Sequence, residues 1–353
     1  MNCRIGIKSD FSIGRSLLTI EKIVKNAVEA KYDGVVVTDD MTISAMPFLS
    51  NALKDKGIKM IFAVTLFVYE DATYRPPSKS SGEIAKENQM YTLKVYAKGE
   101  KGIKSLFKLL TLANTSSHFY YNPRTQLSEV LELEDVVIST GDFFNLFSYE
   151  KYEEVLVALI NKFGKENVFL EHVLTDNPLF ERTNVRAIQC WQKYHCPVLG
   201  TLPALYESDK QLDSLNVYQA VYKNMPITAE KCVMLNVQKI GEYSFKIDNA
   251  RLTSDVLEPL VRIYLTEGEI SEYIFQCMDK SAEKLFSDCE YEFQKKAPCL
   301  PKLADNEFAE VVRQCKEGWK KRFTKPVLGY LPPKEKLPEY VERLKYELSV
   351  LQK

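Results

Sequence analysis

The chain alternates short β-branched runs with amphipathic stretches, and this alternation restricts its fold more than any other feature. Stretches such as TIEKIVKNAVEAK (19–31) and YEEVLVALINKFG (152–164) carry apolar residues at helical spacing. Continuous apolar strands that alternate with helices predict a parallel sheet covered by helices, and seven such strands can close into an α/β barrel. The apolar runs are CRIGIK (3–8), GVVVTD (34–39), KMIFAVTLFV (59–68), MYTLKVYAK (90–98), DVVIST (135–140), NVFLEHV (167–173) and PVLGTL (197–202).

The strand pattern stops near residue 265, and the remainder of the chain is helical in pattern. Helical spacing marks EISEYIFQCMDKSAEKLF (269–286), EFAEVVRQCKEGWKKRF (307–323) and EYVERLKYELSVLQK (339–353). We therefore predict a barrel over residues 1–265 and a separate helical part over residues 266–353.

Charge and hydropathy exclude several classes of protein. With 47 basic and 48 acidic residues, the overall charge predicts neither a nucleic-acid coat protein nor a membrane-surface binder. No window reaches the length of apolar sequence that a membrane span requires, and MNCRIGIKSD lacks the apolar core of a signal peptide. These observations predict a cytoplasmic protein.

Cysteine and histidine usage argues against disulfides and zinc. The 8 cysteines contain no CxxC pair, which favours reduced, packed thiols. The three histidines, at positions 118, 172 and 195, share no ligand spacing, so a zinc hydrolase built on histidine is disfavoured. His172 is expected to be a core or rim residue rather than a base.

Two adjacent carboxylates end the apolar run DGVVVTDDMT (34–43), and this pattern raises the question of a metal site. In β/α barrels, catalytic groups sit at the carboxyl ends of the strands. The other predicted strand ends supply few candidate ligands. A single carboxylate at a strand end commonly caps the next helix or accepts from loop amides, which is the interpretation favoured for Asp39.

Several stretches, in the same order, resemble the N-terminal part of the C-family replicative DNA polymerases, the DNA polymerase III alpha subunits of bacteria and their phages. FYYNPR (119–124) and VERLKYELSVLQ (341–352) are the most specific of them. The others are KSDFS (8–12), GVVVTDD (34–40), KVYAKGEKGIKSLFKLLTLA (94–113), VFLE (168–171), HCPVLGT (195–201) and CKEGWKKRF (315–323).

This resemblance implies a fold and a molecular context. Such polymerases begin with a polymerase-and-histidinol-phosphatase (PHP) domain, a distorted barrel of seven strands, which is followed by the polymerase palm. The resemblance therefore implies a PHP barrel over residues 1–265 and a lead-in to a palm over residues 266–353. The parent family is a DNA-directed DNA polymerase, a nucleotidyltransferase, but this stretch ends before the palm carboxylates that such chemistry requires. The chain alone is expected to be inactive.

The resemblance also indicates where the metal ligands of an active PHP domain would stand, and this sequence lacks nearly all of them. The family's His-x-His pair falls on Gly6 and Lys8, the following aspartate on Arg15, and a histidine on Asp40. A fixed cation beside a divalent ion costs several kcal/mol at an effective dielectric constant of about 20. We therefore expect a degenerate site with no metal and no cofactor. The remaining positions are Thr65 for a glutamate, Thr92 and Thr175 for histidines, Gly141 for a cysteine, and Pro203 and Leu205 for an Asp-x-His pair.

Loss of the metal predicts a replacement for its charge. A buried carboxylate without a counter-charge costs several kcal/mol, so we expect Lys8 or Arg15 to form an ion pair with at least one of Asp10, Asp39 and Asp40.

Three interpretations of function follow. The leading one is a catalytically silent domain that supports the palm and fingers, reaches DNA only through the parent polymerase, and docks a proofreading exonuclease or another replisome subunit. The alternatives are an active metal-dependent phosphoesterase, either a proofreading PHP domain or a free-standing phosphatase, and a separately encoded polymerase piece. The basic run KEGWKKRF (316–323) is more typical of a solvated face than of a nucleic-acid contact.

Overall fold

The computed structural model describes residues 2–76, 87–174, 178–222, 224, 254–289, 291, 301–324, 331 and 333–352. The strands are β1 (Cys3–Ile7), β2 (Gly34–Val37), β3 (Lys59–Met60), β4 (Ala63–Tyr69), β5 (Met90–Ala97), β6 (Thr125–Gln126), β7 (Val136–Ser139), β8 (Val168–Val173) and β9 (Val198–Thr201). The first helices are α1 (Ile20–Glu29), α2 (Met46–Leu53), α3 (Glu100–Ala113), α4 (Leu127–Val130), α5 (Tyr152–Phe163) and α6 (Pro178–Tyr194). They are followed by α7 (Leu212–Tyr222), α8 (Ser254–Val261), α9 (Glu267–Phe275), α10 (Ser281–Asp288), α11 (Glu307–Thr324) and α12 (Leu337–Leu351).

Two sheets join to form a distorted barrel. One sheet has the order β1-β2-β3 and the other has the order β6-β4-β5-β7-β8-β9. A parallel bridge between Asp40 and Thr65 joins the end of β2 to β4, and a parallel bridge between Ile7 and Ala204 joins β1 to the chain beyond β9. Leaving aside the two-residue strands β3 and β6, the described residues thus supply seven barrel strands, as the resemblance implies.

One strand runs against the predicted direction. β5 pairs antiparallel with both β4 and β7, whereas β7, β8 and β9 are mutually parallel. The prediction of a wholly parallel sheet is therefore wrong at β5. Reversing one strand lets two neighbours pair without a crossover connection, which a parallel pair would require. In addition, the run KMIFAVTLFV divides into the short strand β3 and the long strand β4.

Both faces of the strands are buried, which explains their nearly continuous apolar sequence. Outward-facing residues pack under the helices in the main core, which includes Val35, Val64, Val95, Ile138 and Leu170. Inward-facing residues alternate with them and form a second cluster, with one residue from each barrel strand. The members of this inner core on and next to the strands are Ile5, Val36, Ala63, Tyr96, Val137, Phe169 and Leu199, together with Ile61 before β4.

The next inward layer, toward the carboxyl ends of the parallel strands, is entirely polar. On each strand, the residue two positions from the inner-core residue, toward this end, also points inward, because successive side chains of a strand point to opposite faces. On β1 a bulge at Gly6, which has a φ of 96°, shifts the register and brings Lys8 into this layer. The other members are Thr38, Thr65, Lys94, Ser139, Glu171 and Thr201, and all seven are buried.

Helix α10 closes the opposite end of the barrel. Ala282, Leu285, Phe286 and Cys289 belong to the inner core. The turn Gln276–Lys280, a π-helix between α9 and α10, packs on β9, where Gly200 lies so near the Cys277 carbonyl that an added Cβ would be 2.4 Å from its oxygen. The first compact unit accordingly runs to Phe293, beyond the boundary predicted at residue 265.

The second compact unit, Gln294–Lys353, contains α11 and α12. Phe323 of α11 stacks on Trp319 and contacts Tyr340 of α12 edge to face. No side chain described in this unit is buried. Across the described parts of both units, no helix has the length and apolar character needed to cross a bilayer.

Candidate functional site: a buried charge network at the strand ends

The first part of the polar layer is built around Lys8. Its side chain is 1% exposed, and its Nζ donates to the Thr38 carbonyl oxygen at 2.7 Å, to Asp40 Oδ1 at 2.7 Å and to Thr65 Oγ1 at 2.9 Å. An ammonium group has three N–H donors, so every donor of Lys8 has an acceptor. This full set of bonds explains how the charge is accommodated inside the barrel.

Asp40 bridges two cations at the mouth of the barrel. Its Oδ1 accepts from Lys8, and its Oδ2 lies 3.1 Å from Arg15 Nε. Burial would raise the pKa of the Asp40 carboxyl, but Lys8 and Arg15 outweigh burial and hold that pKa below its ordinary value. Of the three acids considered, Asp40 therefore forms ion pairs with both Lys8 and Arg15, while Asp10 lies exposed on the loop after β1.

Asp39 has a different environment, made of serines. Its Oδ1 accepts from the Ser9 backbone N–H at 2.7 Å and from Ser12 Oγ at 2.6 Å, and its Oδ2 accepts from Ser9 Oγ at 2.6 Å. Burial raises the pKa of Asp39, and the hydrogen bonds from Ser12 and Ser9 offset this only in part. Asp39 thus fixes the loop after β1, in accordance with its interpretation as an acceptor for loop amides.

A second buried cation, Lys94 on β5, was not among the predicted site residues. Its Nζ lies 2.8 Å from Glu171 Oε2 and 3.0 Å from Asp142 Oδ2, and all three side chains are fully buried. Burial would lower the pKa of Lys94, but Asp142 and Glu171 outweigh it and raise that pKa. For Asp142, burial is outweighed by Lys94 and Lys8, which lower its pKa.

Glu171 organises the polar side chains around Lys94. Its Oε2 also accepts from Thr201 Oγ1 at 3.0 Å, and its Oε1 accepts from Ser139 Oγ and from the Tyr96 hydroxyl. One carboxylate thus connects four strands of the barrel. Because Lys8 also acts electrostatically on Asp142, and Asp142 on Asp40, the Lys8 and Lys94 clusters form one network.

The structure brings most of the predicted metal positions together at this end of the barrel. A Cβ added to Gly6 would lie 3.6 Å from Lys94 Nζ and from the Pro203 Cα, so Lys94 approaches the Gly6 and Pro203 positions. Gly141 has a φ of 83° and packs on Thr92, whose Oγ1 would be 2.8 Å from an added Cβ. Leu205 is buried in a separate apolar cluster, and Thr175 lies outside the described residues.

These residues do not fit a metal. In the described part of the chain, no group of three or more His, Cys, Asp or Glu side chains is arranged to hold a metal ion. Three hydrolytic metals need several such ligands converging on one pocket. The carboxylates that are present are engaged by the Lys8 and Lys94 ammonium groups and by Arg15.

Lys94 and Glu171 could have been found from the alternation of the strands. The run MYTLKVYAK places Lys94 two residues from Tyr96, and NVFLEHV places Glu171 two residues from Phe169. Lys94 and Glu171 therefore lie on the inward faces of their strands, as do the aromatic inner-core residues Tyr96 and Phe169. His172 points the other way, and its Nδ1 lies 2.9 Å from the Tyr273 hydroxyl.

Comparisons with known proteins agree with this geometry. The sequence profile of the PHP domain family matches residues 6–173, a range from the last residues of β1 to the end of β8. Residues 6–173 are therefore a PHP domain. Three relatives named DNA polymerase III subunit alpha align with this chain over 98–99% of its length.

The relatives of this PHP-domain chain come from distant bacteria. The subunit from Yersinia pestis is 26% identical, that from Aquifex aeolicus 25%, and that from Halalkalibacterium halodurans 23%. The chain spans only 28–29% of the length of these curated relatives. Among solved structures, a Bifidobacterium adolescentis protein named as a metal-dependent phosphoesterase matches 57% of this chain and 87% of its own, with 11% identity and a TM-score of 0.40, a likeness too distant to support a functional argument.

Proposed function

We propose that this chain is the catalytically silent PHP domain, with the lead-in to the palm, of a DNA polymerase III alpha-type replicative polymerase. Its role is structural: it supports the palm and fingers and offers a docking surface for a proofreading exonuclease or another replisome subunit. The proposal places it in the cytoplasm, where bacterial replication takes place.

One observation carries the proposal. Two lysine ammonium groups, those of Lys8 and Lys94, stand inside the barrel at the end where catalytic groups of β/α barrels are found. Their charges balance the buried carboxylates that a metal would otherwise require as ligands. The alternative of an active phosphoesterase finds no ligand set at this end of the barrel in the described residues.

Metal analysis tests the silent site. Purified protein, dialysed against buffer with zinc, manganese or iron and then freed of unbound ions, should contain well under one metal per chain by elemental mass spectrometry. The variant Lys8→His should remain metal-free and become less stable, because it removes all three Lys8 hydrogen bonds while Gly6 still offers no ligand. Two or three metals per wild-type chain would contradict the proposal.

Activity and partner assays test the two other parts. The chain should neither digest single-stranded DNA nor extend a primed template above the background of a mock purification. As immobilised bait, it should retain a 3′–5′ exonuclease activity from an extract of its source. A nuclease activity that copurifies with the chain and disappears in the double variant Asp39→Asn, Asp40→Asn would favour the phosphoesterase alternative.

A further inference from the structure

Positive charge is concentrated in the second half of α11, in the second compact unit. Four basic residues lie within seven positions, Lys316, Lys320, Lys321 and Arg322, and all four side chains are exposed. Glu317 is the only acidic residue among these positions, and it pairs with Arg313. The chain as a whole is nearly neutral, so this charge is local.

Helical geometry places three of these four charges beside two aromatic rings, whereas Lys321 lies on the opposite side of α11. At 100° per residue, Lys316, Lys320 and Phe323 fall on one side of α11, Trp319 lies at its edge, and Arg322 follows on the far side of Trp319. Trp319 and Phe323 are stacked with ring centroids 4.2 Å apart, and Tyr340 of α12 holds Phe323 edge to face at 5.5 Å. The rings are thus packed against one another and flanked by cations.

Two structural explanations account for only part of this pattern. A helix C-terminus favours cations, which explains Lys321 and Arg322 in the last turn but not Lys316. Pairing along the helix explains Arg313, which binds Glu310 and Glu317, and in α12 it explains Arg343 with Glu347. Among the described residues, neither Lys316 nor Lys321 takes part in such an ion pair.

We propose that this basic-aromatic face of α11 binds the phosphodiester backbone of a nucleic acid. Clustered lysine and arginine side chains neutralise phosphates and release their counterions, which is the main source of sequence-independent affinity for a nucleic acid. The structure thereby favours nucleic-acid contact over the solvated face that the sequence of this run suggests. The inference stands on α11 and α12 alone and is independent of the silent metal site.

The test is a titration of the full chain against fluorescent DNA. A 20-nucleotide single strand and a 20-base-pair duplex are titrated in separate arms by anisotropy at several salt concentrations. The quadruple variant K316Q/K320Q/K321Q/R322Q should bind at least about tenfold more weakly at low salt. Its log–log salt slope should be shallower by up to about 2–3, since three of the four residues lie on this face and each phosphate contact contributes about 0.7–0.9.

A matched control removes four lysines elsewhere. The variant K101Q/K104Q/K108Q/K162Q lowers the net charge equally, at exposed positions of α3 and α5, and should bind within about twofold of the wild type. The charge-preserving variant K316R/K320R/K321R should retain binding and also shows whether α11 tolerates substitution.

Three results would overturn the proposal. The first is wild-type chain that binds neither DNA at low salt. The second is equal weakening by the α11 and control variants, since that would reflect net charge alone. The third is competition by poly-glutamate as effective as that by unlabelled DNA, which would indicate an acidic protein as the partner of this face.

Discussion

At the scale of single residues, Lys94 is the buried cation that pairs with two buried carboxylates inside the barrel. Its ammonium group lies within 3.0 Å of both Glu171 and Asp142, and none of the three side chains reaches water. Removing one partner of a buried ion pair leaves the other charge uncompensated, which typically costs about 3–5 kcal/mol. Here two carboxylates would lose their cation together.

Lys94→Met should therefore lower the free energy of unfolding by at least about 3 kcal/mol, as measured by urea denaturation. The control Lys104→Met removes a lysine that pairs with Glu100 on the exposed surface, where an ion pair contributes below about 1 kcal/mol. Equal stability losses in the two variants would show that the Lys94 charge is compensated by something other than Glu171 and Asp142.

His172 gives the protein a pH dependence of its own. Burial lowers the pKa of this histidine to about 4. The unfolded chain, with an ordinary histidine pKa of about 6.5, binds a proton below that pH, whereas the native state does not until about pH 4. The stability contributed by neutral, buried His172 is therefore fully present above about pH 6.5. As the pH falls toward 4, the free energy of unfolding decreases by roughly 3 kcal/mol.

The variant His172→Gln should show a smaller loss of unfolding free energy between pH 7.5 and pH 4.5 than the wild type. Exposed His195 provides the matched control, and His195→Gln should keep the wild-type pH dependence. Carboxylates such as Asp40 and Asp142, whose pKa values are lowered, contribute to acid unfolding only at lower pH and are shared by all three proteins. If the free energy of unfolding depended on pH in the same way in wild type and His172→Gln, His172 would not be the source of this pH dependence.

At the scale of elements, the sequence specifies the existence of the strands better than their arrangement. Apolar runs and helical spacing locate all seven barrel strands, and the resemblance locates the end at which the site lies. Periodicity carries no direction, so the antiparallel course of β5 could not be read from MYTLKVYAK. Nor could the spacing of ligand positions reveal Lys94, because its partners Asp142 and Glu171 are 48 and 77 residues away and meet it only after the barrel closes.

The contact between β9 and the π-helical turn supplies a test at this scale. Gly200 has no room for a side chain, because an added Cβ would lie 2.4 Å from the Cys277 carbonyl oxygen and 3.1 Å from Leu174 Cδ1. Gly200→Ala should therefore displace the turn that leads into α10 and cost about 1–3 kcal/mol, the usual effect of overpacking.

Gly268 on α9 is the control for this substitution, because an added Cβ there has no neighbour within 4 Å. Gly268→Ala should be neutral or stabilise by up to about 1 kcal/mol through the better helix propensity of alanine. Both changes are measured by urea denaturation. An unaffected Gly200→Ala variant would mean that α10 closes the barrel independently of this contact.

At the scale of the whole molecule, the two compact units differ in how they are stabilised. All buried residues of the three apolar clusters lie in the first unit, and the last of them is Cys289. The described helices α11 and α12 of the second unit contribute no buried side chain. The stability of the barrel should therefore depend on where the chain is shortened.

Two truncated chains distinguish a domain boundary at residue 293 from the predicted domain boundary at residue 265. A chain of residues 1–293 keeps every member of the inner core and should unfold with the same midpoint as residues 1–353. A chain of residues 1–265 loses Leu285 and Phe286, and burial of each such side chain contributes about 1.5–3 kcal/mol. It also exposes inner-core residues such as Val36 and Phe169 at the end of the barrel that α10 closes, so it should aggregate or have a free energy of unfolding several kcal/mol lower.

If residues 1–265 matched the full chain in a thermal or urea melt, α10 would be dispensable and the predicted boundary would hold. Because the two fragments differ only by the helices that close the barrel, their difference in unfolding free energy measures what α9 and α10 contribute to the PHP domain.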